Sequence, residues 1–164
     1  MAKSAILAAI LTGLLASPLA ARDSLGVFSD WGAFRDPQVP LCYAIAAAEE
    51  SRNARETDPY ASIGTWPQRQ VRGQVYFRLS RSAREGGPVR LTVGNAVFEL
   101  EGSGSDAWAT SRQSDAAIVA AMRAASRMSI SATDNSGRRF SDRYSLDGAA
   151  TALDAASVGC ARSG

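Results

Sequence analysis

Glu99 and Glu101 stand two residues apart, which on a β-strand puts both carboxylates on one face, about 7 Å from each other. Two acids at such a separation are the minimal equipment of a glycoside hydrolase. A plainer reading competes with this one. Arg90 falls opposite Glu99 if the two share a hairpin, and a cross-strand ion pair of roughly 0.2–1 kcal/mol then accounts for the acids without any cleft. Asp134-Asn135-Ser136-Gly137 has the oxygen-rich look of a calcium loop, but the later acidic ligands and the twelve-residue spacing are missing, so it reads as a turn. The chain contains no histidine. Ser–His and Cys–His nucleophile pairs, imidazole acid–base chemistry and His-ligated metal sites are thereby excluded, and neither cofactor nor metal is expected. Trp31, Trp66 and Trp108 could form a ligand platform, although packing in or around the core is the ordinary fate of such side chains.

The basic stretch from Arg69 to Arg90 stands above this background. It holds six arginines and one acid, Glu85, for a net charge of +5 over 22 residues. Strand alternation predicts that Arg72, Arg78 and Arg90 share a solvent face with Tyr76, and that Arg81 and Arg84 lie on the adjoining loop. Guanidinium groups spaced along a sheet can engage a phosphate-bearing envelope lipid or an acidic protein partner. The competing reading is a solvated arginine face partly neutralised by Glu99 and Glu101.

The compartment follows from the first residues. In MAKSAILAAILTGLLASPLAA a lone Lys3 precedes an apolar run from Ala5 to Ala16, then Pro18 and the small pair Ala20-Ala21. This is the layout of a secretory signal peptide, read here as cleaved after Ala21. The apolar run is too short to serve as a membrane anchor, and no 18-residue uncharged run follows it. Loss of the leader removes the only lysine and leaves 17 arginines against 16 acids. That near-balance gives no global field to attract nucleic acid. Export to the periplasm or beyond places Cys42 and Cys160 in an oxidising setting, where an even pair is expected as a disulfide. A reactive thiol would lack a His or Lys neighbour to lower its pKa.

The remaining residues, 22–164, are read as a single domain, 46% of the full chain being hydrophobic. The spacing predicts strands over Gly26–Trp31, Leu41–Ala46 and Ile63–Trp66, with a loop holding Pro37 and Pro40 and a solvated loop over Glu49–Tyr60. Val75, Phe77 and Leu79 alternate with polar neighbours, as do Val89, Leu91 and Val93 and then Phe98 and Leu100. A two-residue Gly94-Asn95 turn pairs Val93 with Ala96, Leu91 with Phe98, Val89 with Leu100 and Arg90 with Glu99. All apolar residues then fall on one face, which a one-residue slip would undo. A helix is predicted over about 114–125, capped by Ser114, with Asp115 at its positive end and Ile118, Ala121, Met122 and Ala125 as its apolar stripe. A second hairpin, Met128–Ala132 with Phe140–Tyr144, is expected to align Ile130 with Phe140 through a bulge at Gly137. An Ala-rich helix over about 148–158 closes the domain, stopped by Gly159, with Cys160 pinning it to the early strand that holds Cys42.

Several short pieces of this chain, in order, are similar to the invasion-associated locus B family of bacterial envelope proteins. They are Phe28-Ser29-Asp30-Trp31, Cys42-Tyr43, the strand Ala96–Leu100, Ala107-Trp108, the helix Asp115–Arg123, and Tyr144-Ser145-Leu146-Asp147-Gly148 leading to Cys160. The resemblance implies an exported antiparallel β-sandwich without known enzymatic activity. It carries over the envelope setting and the architecture, not the role in host-cell invasion that names the family. The expectation is therefore a mainly β domain with two short helices, periplasmic or secreted, that acts by binding an envelope or host partner. The alternatives are a carboxylate-based envelope hydrolase and an inert structural or folding-assistance role.

Overall fold

The computed structural model describes residues 22–51 and 55–161. The leader expected over residues 1–21, and residues 52–54 of the loop expected over Glu49–Tyr60, lie outside the described residues. The domain is mainly β with two helices. In chain order the strands are β1 (Asp23–Phe28), β2 (Trp31–Asp36), β3 (Leu41–Ala47), β4 (Tyr60–Trp66), β5 (Val71–Arg78), β6 (Val89–Val93), β7 (Ala96–Ser103), β8 (Asp106–Ala109), β9 (Arg127–Thr133) and β10 (Arg139–Ser145). Helix α1 (Arg112–Ala124) lies between β8 and β9, and α2 (Ala149–Ala161) follows β10. The strands form one continuous antiparallel sheet in the order β1-β2-β3-β4-β5-β8-β7-β6-β9-β10.

Hairpin β6–β7 has the expected register at every position, from Val93 opposite Ala96 to Val89 opposite Leu100, with Arg90 opposite Glu99. Val89, Leu91 and Val93 are buried, whereas Arg90 and Glu99 are exposed. Elsewhere the structure corrects the sequence reading. The first predicted strand is two strands, because Ser29 adopts a left-handed φ of 49° and turns the chain tightly before Trp31. Asp36 then ends β2 by accepting hydrogen bonds from the backbone N–H groups of Gln38 and Val39. Strand β8, only four residues long, inserts between β5 and β7. The cap of α1 is Ser111, whose hydroxyl accepts from the N–H of Ser114, so the helix begins earlier than expected. In the β9–β10 hairpin Phe140 pairs with Ala132, and Ile130 with Asp142. No bulge is needed there, since the Asp134 carboxylate ties the loop by accepting from the N–H groups of Ser136 and Arg138. Helix α2 does not stop at Gly159 but runs through it. Leu25 lies so close that a Cβ on Gly159 would meet its Cδ1 at 2.5 Å, so the glycine serves close packing rather than termination.

The buried face of the sheet carries Trp31, Val75, Phe77, Leu91, Ile130 and Tyr144, all 1% exposed or less. Although β2 and β10 lie near opposite ends of the strand order, the Trp31 indole N–H donates to the Ser145 carbonyl at 2.9 Å. The rings of Phe77 and Tyr144 sit 5.9 Å apart. The sheet therefore coils, and its apolar face closes over the core. Helix α2 packs on β1–β4 and α1 mainly on β5. Cys42 and Cys160 are joined, Cα to Cα 5.6 Å, across 118 residues, which fixes α2 to β3 as expected. No helix among the described residues is long and apolar enough to cross a membrane.

Candidate binding site

The five arginines expected to form one binding surface, Arg72, Arg78 and Arg90 on the sheet face with Arg81 and Arg84 on the adjoining loop, are distributed over four settings. Arg78 and Arg90 do lie on the outer face of the sheet, but each has an acid beside it: Arg78 meets Asp106 at 3.1 Å and Arg90 meets Glu99 at 3.8 Å. Arg81 is buried and pairs with Asp134 at 3.2 Å. Asp134 is itself only 3% exposed. The Ser136 hydroxyl, assisted by two backbone N–H groups and the Arg138 charge, holds its carboxyl well below the usual carboxylate range. Arg81 thus fastens the loop after β5 to the β9–β10 turn and is not available as a surface cation. Arg84 is exposed.

Arg72 is the instructive case. Pairing between β4 and β5 shifts from Gly64 opposite Gln74 to Trp66 opposite Val71. One residue of β4 therefore faces two of β5, Arg72 and Gly73. Gly73 supplies the left-handed turn of this bulge, with φ 66°, and its N–H donates to the Thr65 hydroxyl at 3.2 Å. A bulge breaks the alternation of faces. Arg72 is consequently turned to the helix side of the sheet, opposite the face expected from parity, and lines a groove there.

That groove encloses about 740 Å³ between α1 and α2. Ala116, Val119 and Ala120 of α1 face Leu153, Ala156 and Cys160 of α2 across it, with Ile63 of β4 below. Ala116 and Ala120 lie one helical turn apart, and alanine favours the helix while projecting a single methyl. The two helices can therefore form without filling the space between them. At the rim Arg123 spans the gap to Asp154 at 2.7 Å, and this hydrogen bond holds the Asp154 carboxyl below its usual range. Arg72 is exposed and has no acidic partner among the described residues. Chemically the site is an apolar trough with one uncompensated guanidinium at its mouth.

The acid pair proposed for hydrolysis does not assemble into a cleft. Glu99 and Glu101 are both exposed on β7, and Glu101 lies opposite Trp108. The acid that burial does perturb is Asp115, only 8% exposed. Desolvation raises its pKa, and the hydrogen bond from the Val75 N–H, 2.8 Å away, opposes the rise. Asp115 ties α1 to β5, a role beyond the helix-end charge read from the sequence. Of the tryptophans, Trp31 is core, whereas Trp66 and Trp108 are half-buried on the outer face. Among the described residues no cluster of three or more Cys, Asp or Glu side chains is placed to hold a metal ion. No family model, curated protein or solved structure matches this chain.

Proposed function

We propose that the mature chain is an exported, non-enzymatic envelope protein of the invasion-associated locus B type that holds an anionic amphiphile between α1 and α2. Arg72 carries this reading. A guanidinium without an acidic partner, at the mouth of an apolar trough of about 740 Å³, suits a ligand with an acyl chain and a carboxylate or phosphate head. The chain would lie against the methyls of Ala116, Ala120 and Ala156, gaining about 0.8 kcal/mol per CH2 removed from water. The head group would take the paired N–H donors of Arg72. Binding sites of this kind are concave, largely apolar and oriented by few polar groups. The leader sequence and the disulfide between Cys42 and Cys160 support an oxidising compartment outside the cytoplasm, where anionic lipids are at hand.

Calorimetric titration of the mature protein with dodecanoate tests the reading. Saturable one-to-one binding is expected, with Arg72→Glu weakening it at least tenfold, or about 1.4 kcal/mol. Arg84→Glu, which reverses an exposed charge outside the groove, is expected to leave the isotherm unchanged. Absence of saturation, or equal losses in both variants, would overturn the proposal.

A further inference from the structure

The outer face of the sheet carries a second recess, independent of the groove between the helices. It holds about 340 Å³ and is floored by Tyr43, Ile45, Trp66 and Tyr76. Aromatic rings continue beyond it in both directions. Phe34 stacks on Tyr43 at 5.7 Å, Tyr60 lies 5.7 Å from Tyr76, and Tyr76 meets Trp108 edge-on at 6.4 Å. The row crosses five adjacent strands, β2, β3, β4, β5 and β8, a width of about 19 Å at the usual strand spacing.

Two glycines shape the surface of this row. A Cβ on Gly64 would lie 2.7 Å from the Trp66 ring, and one on Gly32 would lie 2.6 Å from the Phe34 ring. Each ring occupies the space that a side chain would otherwise fill, and so lies along the sheet instead of standing upright from it. Rings laid down in this way offer a face to whatever approaches. Residues with hydrogen-bonding side chains are interleaved with them: Ser62 and Gln74 both line the recess. Two ion pairs border the row, Arg22 with Asp36 at 3.7 Å and Arg78 with Asp106 at 3.1 Å. The Tyr76 hydroxyl donates to Asp106, and burial, followed by that hydrogen bond, raises its pKa so that it stays neutral.

From this combination we infer that the outer face is a binding site for a neutral oligosaccharide. Sugar rings present flat C–H faces that stack on aromatic rings, with hydroxyls at their edges that need amide, hydroxyl and carboxylate partners. The width of the row accommodates several such rings. Other ligands fit less well. A peptide adding itself as a strand needs a free sheet edge, whereas the backbone groups of β3, β4 and β5 are spent on neighbours. A nucleic acid needs unmatched cations along its path, and a purely apolar partner would leave Ser62 and Gln74 desolvated.

The test is titration of the mature protein with chitohexaose, cellohexaose and maltohexaose, followed by tryptophan fluorescence. At least one neutral hexaose is expected to give a saturable change at millimolar or lower concentration. Trp66→Ala and Tyr76→Ala should each weaken it tenfold or more, while Trp66→Phe, which keeps a flat ring, retains most of the affinity. Circular dichroism melts confirm that each variant folds, and a variant that does not fold is replaced by Trp108→Ala with the same expected loss. No saturation with any of the three sugars, equal affinity in the ring-deleted variants, or a response to charged polysaccharides alone would overturn the inference.

Discussion

Arg72 and Arg78 belong to the same strand, yet Arg72 lines the groove between the helices while Arg78 pairs with Asp106 on the opposite face of the sheet. The bulge at Gly73 separates them. A Cβ at Gly73 would meet only Val119 Cγ2 at 3.8 Å, so space is no obstacle there and the cost of a side chain is that of the left-handed backbone. Gly73→Ala is expected to lower stability by about 1–2 kcal/mol, read as a shifted urea midpoint. If the bulge relaxes and Arg72 swings away, dodecanoate affinity falls with it.

Loss of the disulfide should be costly. The cross-link closes a loop of 118 residues, and its removal from the chain-entropy balance amounts to about 4–5 kcal/mol. Cys42→Ala combined with Cys160→Ala is expected to lower the unfolding free energy by that order, read from urea denaturation, and reduction of the native protein with dithiothreitol should do the same. The groove loses its anchored α2 in both cases, so ligand binding should weaken along with stability.

Asp115 and Asp134 respond to acid in opposite ways. Burial raises the folded pKa of Asp115 above its unfolded value, so folding is penalised more as pH rises through that interval and the carboxyl ionises. Asp115→Asn keeps an acceptor for the Val75 N–H and removes the buried charge, so it should raise stability at pH 7 but not at pH 3. Asp115→Leu leaves that N–H without a partner and should cost about 1–3 kcal/mol. The folded pKa of Asp134 is depressed, so its contribution is complete above the unfolded value near 3.8 and is lost as pH falls toward the folded one. The difference between wild type and Asp134→Asn should accordingly shrink in acid, as chemical denaturation across pH would record.

Tyr144 is 1% exposed, and its hydroxyl has no hydrogen-bond partner among the described residues. Its ring packs on Phe77 at 5.9 Å. Tyr144→Phe keeps the ring and removes the unsatisfied oxygen, so stability should be unchanged or higher by up to about 1 kcal/mol. Tyr144→Ala should lose about 3–5 kcal/mol, the range of large-to-small aromatic changes in a core.

Legibility followed the range of the interaction. The β6–β7 hairpin could be read in full because alternation and the Gly94-Asn95 turn are local signals that agree with each other. The short strand β8 carries too few residues for a period, and its position between β5 and β7 is set by distant pairing. Arg81 looked like a surface cation because its partner, Asp134, is 53 residues away. The bulge that redirects Arg72 had a trace in Gly73, but a glycine in a strand marks several kinds of irregularity. The groove left no chemical signal at all: its alanines are ordinary helix residues until tertiary packing sets α1 beside α2. The aromatic row is similar, since Phe34, Tyr43, Tyr60 and Trp66 come from three strands whose order only the fold decides.

An acyl anion held between α1 and α2 would be recorded by methyl NMR of the chain over residues 22–164. Addition of dodecanoate should shift the methyl signals of Val119, Ala120, Leu153 and Ala156 in a saturable manner, and Arg72→Glu should abolish the effect at the same concentration. Unmoved signals at these four residues, or shifts confined to Ile45 on the opposite face of the sheet, would mean that the groove between the helices does not hold the ligand.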